Sequence, residues 1–267
     1  MSGRLFRQTI RWQRVRLVAV LVAAIAWGAL IPVIYNEFSD VIRDLANSGA
    51  FPQEMMNIGS GSLFTLPGSI TLGLQHPLGI AMLGIFAVGA SATAVAGERA
   101  RGTLEVLLAR PISRTTLYVS ILVALLLIVL IVLSAIIGGM IGSATVIGIA
   151  DELDLGQLPL VLVNGVGLWA AFTTFGLAMS VTFDRPGPAI GITLAFLLIN
   201  YFLEILGSLW SDAAWLQQYS LLHHFDPGAI LTGELDPIDL VIVYVAAVIP
   251  IVYALLVFPK RDLAAPA

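Results

Sequence analysis

Six long apolar stretches, separated by polar segments, constrain this chain more than any other feature. A helix needs about 20 mostly apolar residues to cross about 30 Å of hydrocarbon. Within that layer each backbone amide must be satisfied inside the protein. The stretches run from Leu17 to Tyr35, Pro77 to Ala96, Leu117 to Gly142, Leu158 to Thr182, Pro188 to Gly207 and Ile238 to Phe258. Composition points the same way. The 267 residues are 58% hydrophobic and 11% charged, against about 25% charged in a soluble domain. So few charges cannot cover the surface of a water-soluble fold of this size. The pattern predicts an all-α membrane protein with six transmembrane helices, a single domain over residues 1–267, with no tandem repeat.

The basic residues set the orientation. Arg4, Arg7, Arg11, Arg14 and Arg16 precede the first stretch. Arg99, Arg101, Arg110 and Arg114 separate the second from the third. Arg185 lies between the fourth and fifth, and Lys260 and Arg261 follow the sixth. Of the thirteen Lys and Arg residues, only Arg43 falls in the alternate loops. Those loops carry acids instead, among them Glu37, Asp40, Asp44, Asp151, Glu152 and Asp154. Loops rich in Lys and Arg stay on the cytoplasmic side, so both termini are expected in the cytoplasm.

Arg4, Arg7, Arg11 and Arg14 recur at spacings of three and four, which puts them on one face of a helix, while Leu5, Phe6, Ile10 and Leu17 fall mainly on another. Residues 1–16 thus read as an amphipathic helix lying in the inner headgroup layer. The long apolar run that follows argues for a retained helix rather than a cleaved signal peptide. On the opposite side, Gly59-Ser60-Gly61-Ser62 reads as flexible, and the uncharged run around Leu63–Leu74 is expected to dip into the outer interface. The outer segment 208–237 carries Trp210, Trp215 and Tyr219, which suit an interface.

The segment between the second and third stretches, residues 98–114, carries the functional signal. Gly102 breaks the preceding helix, Thr103 reads as an N-cap, and Glu105 sits in a first turn that favours an anion. Leu104, Leu107 and Leu108 share one apolar face. Pro111 stops the element at Arg110, and Ser113 is placed to cap the third span. Read by itself, this is a short capped helix with an apolar ridge and charges of both signs, or equally a well-capped hairpin between two membrane helices.

The run Glu98…Gly102-Thr103-Leu104-Glu105…Leu107-Leu108…Arg110-Pro111-Ile112-Ser113-Arg114 resembles the cytoplasmic loop of ABC-2 type transporter permeases, in particular those serving nitrous oxide reductase maturation. The similarity extends to length, six spans, the basic N-terminal helix and the outer segment Tyr219-Ser220-Leu221-Leu222-His223-His224-Phe225-Asp226-Pro227. It implies an ABC-2 exporter-like fold in the plasma membrane of a prokaryote. It also implies that Glu98, Arg101, Gly102, Thr103, Leu104, Glu105, Leu107, Leu108, Arg110 and Pro111 form a coupling helix docked on an ATPase. The implied partners are an ATP-binding cassette subunit, a second permease copy or homologue, and membrane lipid, with no nucleic acid. The chain has no Gly-rich phosphate loop ending in Gly-Lys-Ser/Thr, and Lys260 is its only lysine. ATP and Mg are therefore expected on the partner, with no cofactor here.

Other chemistry is thin. Glu204 is the one acid inside a span and Asn200 lies a turn away, so this pair is a candidate lining of the translocation route; a packing or interface role is the plainer alternative. His223, His224 and Asp226 are too few and too poorly spaced for a closed metal site. Cysteine is absent, which excludes disulfides and thiolate chemistry. Gly89-Ala90-Ser91-Ala92 has a serine but no general base within reach, since all three histidines sit near the outer ends of spans. Its small residues, like Gly138-x-x-x-Gly142, are expected to permit close helix packing. Pro32 and Pro250 predict kinks. An ion-coupled transporter is the rival class, disfavoured because only Glu204 is intramembrane; a non-transporting scaffold is the other.

Overall fold

A computed structural model of the chain describes residues 2–48, 57–58, 61–62, 64–109 and 111–261. Helix α1 (Gly3–Asn47) is continuous over 45 residues and passes through Pro32 without interruption. The arginine-bearing segment is therefore joined to the first span, not set off from it. No Gly or Pro lies between Gly3 and Gly28 to end the helix.

Contacts show that α1 is bowed. The Ser2 backbone amide donates to Ser120 Oγ at 2.8 Å, and Gly28 lies against the Ile136 carbonyl. Both partners sit on α7 (Arg114–Ile147). Between these contacts α1 covers about 39 Å of helix and α7 about 24 Å, at 1.5 Å per residue. A straight α1 cannot meet α7 at both points, so α1 curves between them.

Near Gly28 the two helices touch backbone to backbone. A Cβ on Gly28 would lie 2.1 Å from the Ile136 carbonyl oxygen, and one on Gly139 would lie 2.4 Å from that of Ile25. Close approach of small residues is how helices gain packing where lipid supplies no hydrophobic drive. The working glycines are Gly28 and Gly139. Gly138 and Gly142, expected to pack, face open space with nothing within 4 Å of a Cβ.

The second span is broken. Helix α2 (Leu66–Gln75) and the helix starting with α3 (Pro77–Gly84) meet at a 49° bend. Pro77 disfavours helical geometry at His76, which is extended, and His76 Nδ1 accepts from the Leu78 amide at 3.2 Å. Taken with the helix beyond the bend as one span, the apolar run before Gln75 is its first limb. Beyond α3 come a π-helical turn, Ile85–Ala90, and α4 (Ser91–Thr93). Before α2, β1 (Asn57–Ile58) and β2 (Gly61–Ser62) pair antiparallel where the Gly-Ser run predicts flexibility; Gly59 and Ser60 lie outside the described residues.

The chain continues through α5 (Ala96–Ala100), α6 (Thr103–Leu108), α7, α8 (Leu158–Thr182), α9 (Pro186–Leu209), α10 (Pro227–Leu231) and α11 (Pro237–Val257), which runs through Pro250. Among the described residues five helices are long and apolar enough to span a bilayer, and the bent pair, taken as one span, makes six. Helix α8 is central: 72% of its most apolar window is buried, against 22% for α11. Its Gly167 lies under Val243 and Tyr244 of α11, and Gly176 under Ser91 of α4. Ser91 is fully buried and donates to the Ala87 carbonyl, a packing role with no base near it.

Candidate functional site

The second span ends at Val95, where the helix breaks and α5 begins. Two backbone amides at that break, Val95 and Ala96, both donate to Ser180 Oγ of α8, at 2.9 and 3.0 Å. A single buried hydroxyl thus fixes the start of α5. Two turns later Gly102 adopts φ +71°, the left-handed conformation that glycine takes without penalty, and α6 turns away from α5.

Glu98 organises this turn. Its carboxylate is 7% exposed as a residue, pairs with the Arg101 guanidinium, and accepts from Thr103 Oγ1 at 2.5 Å. Thr103 is therefore not the N-cap of α6. Gly102 occupies that position, and Thr103, one residue into the helix, directs its hydroxyl back to Glu98. Glu105 lies in the first turn as expected, and Ser113 Oγ caps α7 by accepting from the Thr116 amide at 3.1 Å.

The apolar face of α6 turns inward. Leu104 is 2% exposed, and Leu107 and Leu108 are half-buried against the chain's own core. Leu104 and Leu107 line a pocket together with Leu5 of α1 and Leu117 and Ile121 of α7. The sequence shows an apolar ridge but not that the bowed α1 already covers it. What α6 offers outward is Thr103, Glu105 and Val106, the last 66% exposed. Pro111 is exposed too, and Arg110 lies outside the described residues.

A second fastening joins this element to the rest of the same end. Arg99, 9% exposed, approaches Asp184 at 2.8 Å. Asp184 sits between α8 and α9 and also pairs with Arg261, which follows α11 and donates to the Val181 carbonyl. Arg114 at the start of α7 donates to the carbonyls of Phe258 and Pro259 at 3.1 and 3.2 Å. Ser180 and Asp184 were not singled out by sequence reasoning. Asp184 had a signal: it is the only acid in the connection of the fourth and fifth stretches, next to Arg185. Ser180 had none, being one hydroxyl within an apolar run.

At the opposite end Asn200 and Glu204 come together with the segment Ser211–Tyr219 and the loop after it. Asn200 Oδ1 accepts from the Leu221 amide at 2.7 Å, and Ser220 Oγ donates to the Asn200 carbonyl at 2.9 Å. Glu204, 2% exposed, accepts from Gln217 Nε2 at 3.0 Å, while its Oε2 has no hydrogen-bond partner. Gly207 makes room for the Gln217 side chain. His223 lies 3.8 Å from Glu204, an ion-pair distance rather than a hydrogen bond. That carboxylate, with lesser help from Asp239 and Asp226, raises the His223 pKa against the opposing effect of burial.

The other candidates diverge. His224 turns to Asp239 at 2.7 Å. Asp226 caps α10 and accepts from Thr71 Oγ1 of α2 at 3.0 Å. Gln75 donates to the Phe225 carbonyl at 2.9 Å. Neither Thr71 nor Gln75 stood out in the sequence. Together they tie the outer limb of the broken span to the segment before α11.

One end therefore carries a short helix, fixed at its base and offering a small charged and apolar tip; the other carries a sealed polar cluster. A family model described as ABC-2 family transporter protein matches residues 6–263. The chain belongs to the ABC-2 transporter family. A search of curated proteins finds no match. ABC-2 permeases are the membrane components of transporters and generally have no catalytic activity of their own, so the family implies an ATPase partner. With five or six apolar spanning helices, this ABC-2 chain is a multi-pass membrane protein.

Proposed function

We propose that this chain is the permease subunit of an ATP-driven exporter in a prokaryotic plasma membrane, with the arginine-rich end and both termini cytoplasmic. The excess of Lys and Arg at that end supports the orientation. Residues 98–111 form the coupling element, in which Glu105 and Val106 meet the ATPase and Glu98, Arg101, Gly102 and Thr103 set the angle of α6. The observation that carries this reading is the exposed Glu105–Val106 tip on a base held by Ser180, Asp184 and Glu98. A free loop would absorb a push, whereas a fixed one hands it to α8 and α9.

The permease works as a pair, with a second copy or a homologue, and substrate passes between them. Opening of the outer segment frees Asn200 and Glu204 from Gln217, Ser220 and Leu221, so that both line the route. Likeness of the 219–227 segment to permeases for nitrous oxide reductase maturation supports placing the chain near that subgroup. Affinity purification in detergent, followed by an ATPase assay of what accompanies the chain, tests the reading. An ATPase that co-purifies with the wild type and is lost from the Glu105→Ala, Val106→Asp variant is expected. A folded, monodisperse chain that never brings down an ATPase overturns it.

A further inference from the structure

Behind α6 lies a cavity of about 100 Å3. It lies between the N-terminal arm of α1, α6 and the first turns of α7. Leu5 and Gln13 of α1, Ala94 and Leu104, and Ile121 and Leu125 of α7 line it. It adjoins an open groove edged by Gln8, Trp12, Arg101 and Val106. Apolar surface predominates in the cavity and in the groove alike, and Gln8 and Arg101 supply polar groups where the two meet. Gln13 Oε1 is buried there without a hydrogen-bond partner.

Several features of this end favour one kind of occupant. Trp12 is 58% exposed at the mouth, and indoles settle at headgroup depth. Arg4, Arg7, Arg11 and Arg14 are all exposed on the same arm, which has no acid before Glu37. Their field draws phosphate to this end. At the mouth itself the Arg101 side chain is 62% exposed. A guanidinium has five N–H donors, so pairing with Glu98 leaves others for a ligand. Glu98 itself is covered by Arg101 and Thr103 and presents little free charge. A void of about 150 Å3 accepts a benzene ring, so this one accepts a run of several methylenes and no folded peptide.

We propose that the cavity behind Leu104 is a phospholipid site, with an acyl segment filling the pocket and the phosphate held in the groove by Arg101 beside Trp12. The lipid props α6 from the side opposite Glu105. The site belongs to this chain alone and stands whether or not α6 docks an ATPase.

The test is photolabelling in vesicles that contain phosphatidylglycerol with a diazirine in its acyl chain, followed by peptide mapping. Label is expected on the peptides that contain Ala90–Ala94 and Leu117–Leu125, and excess unlabelled phosphatidylglycerol should suppress it. Ala94→Trp, which fills the pocket, should remove that label and leave label on the exposed α11 residues Val245, Val248 and Ile249. Arg101→Gln should weaken the competition about tenfold, as expected for loss of a charge-assisted contact. Label confined to α11 and other exposed faces of the wild type overturns the proposal, and needs no variant to fold. Undiminished cavity label in Ala94→Trp overturns it as well. Equal labelling by the matched diazirine fatty acid, with no effect of Arg101→Gln, overturns the phosphate assignment.

Discussion

Arg99 of α5 lies 2.8 Å from the carboxylate of Asp184, at the turn that joins α8 to α9. The pair is asymmetric: the Arg99 side chain is 10% exposed and that of Asp184 51%. Deleting the exposed partner leaves a guanidinium buried beside Arg261, which lost the same carboxylate. Asp184→Asn is expected to cost about 1–2 kcal/mol, less than a fully buried pair because water reaches half of Asp184. Thermal unfolding in detergent measures it. A midpoint equal to that of the wild type would mean that the Arg99–Asp184 pair does not fasten α5 to α8.

Leu104 and Val106 stand two residues apart on α6 with opposite exposures, 2% and 66%. Leu104→Ala opens the buried face and is expected to destabilise the chain by about 2–4 kcal/mol. Val106→Asp touches no core and should change stability by no more than about 0.5 kcal/mol. On the proposed function, recovery of the ATPase should nonetheless fall sharply in Val106→Asp. Unfolding curves and pull-down yield, measured on the same preparations, separate the two effects.

Adjacent glycines on α7 give an internal control. A side chain at Gly139 collides with the Ile25 carbonyl, whereas one at Gly138 meets nothing. Gly139→Leu must push α1 and α7 apart, and overpacking of this kind costs about 1–3 kcal/mol or more. Gly138→Leu is expected to leave the monomer as stable as the wild type. Comparable loss of folded yield from both variants would refute the α1–α7 crossing described above.

Much of this architecture was legible because the membrane leaves few choices. A twenty-residue apolar run in lipid must be a helix, and the fourth stretch, Leu158–Thr182, coincides with α8. Ser113 capped α7 as its position before an apolar run suggested. Direction of burial was harder to read. Whether Leu104 faces a partner or its own chain depends on the bow of α1, which is a tertiary fact with no local signature. The same holds for Gly139 and Gly138: a small-residue pattern marks a helix that can pack closely, not which of two neighbours does. The bend at His76 was legible only from Pro77. Thr103 was misplaced by one residue because Gly102, by going left-handed, took the capping position.

The titration of His223, which lies outside the spans, is set chiefly by the buried carboxylate of Glu204. Its partner Glu204 has a single bonded oxygen, to Gln217, and Asp226 and Asp239 add a weaker pull, with His224 alongside. The folded-state pKa of His223 is raised above 6.5, so the protonated form is the one that the fold favours. Its stabilisation is therefore full below the unfolded value and fades as pH rises through the folded one. With the His223 side chain 44% exposed, the effect is that of a screened pair, about 0.2–1 kcal/mol. Unfolding midpoints measured from pH 5.5 to 8.5 should decline across the upper part of that range in the wild type. His223→Gln keeps the bulk and removes the titration, so its midpoint should vary less over the same range. A wild-type midpoint that rises with pH, or a decline preserved in His223→Gln, would place the dominant titration elsewhere.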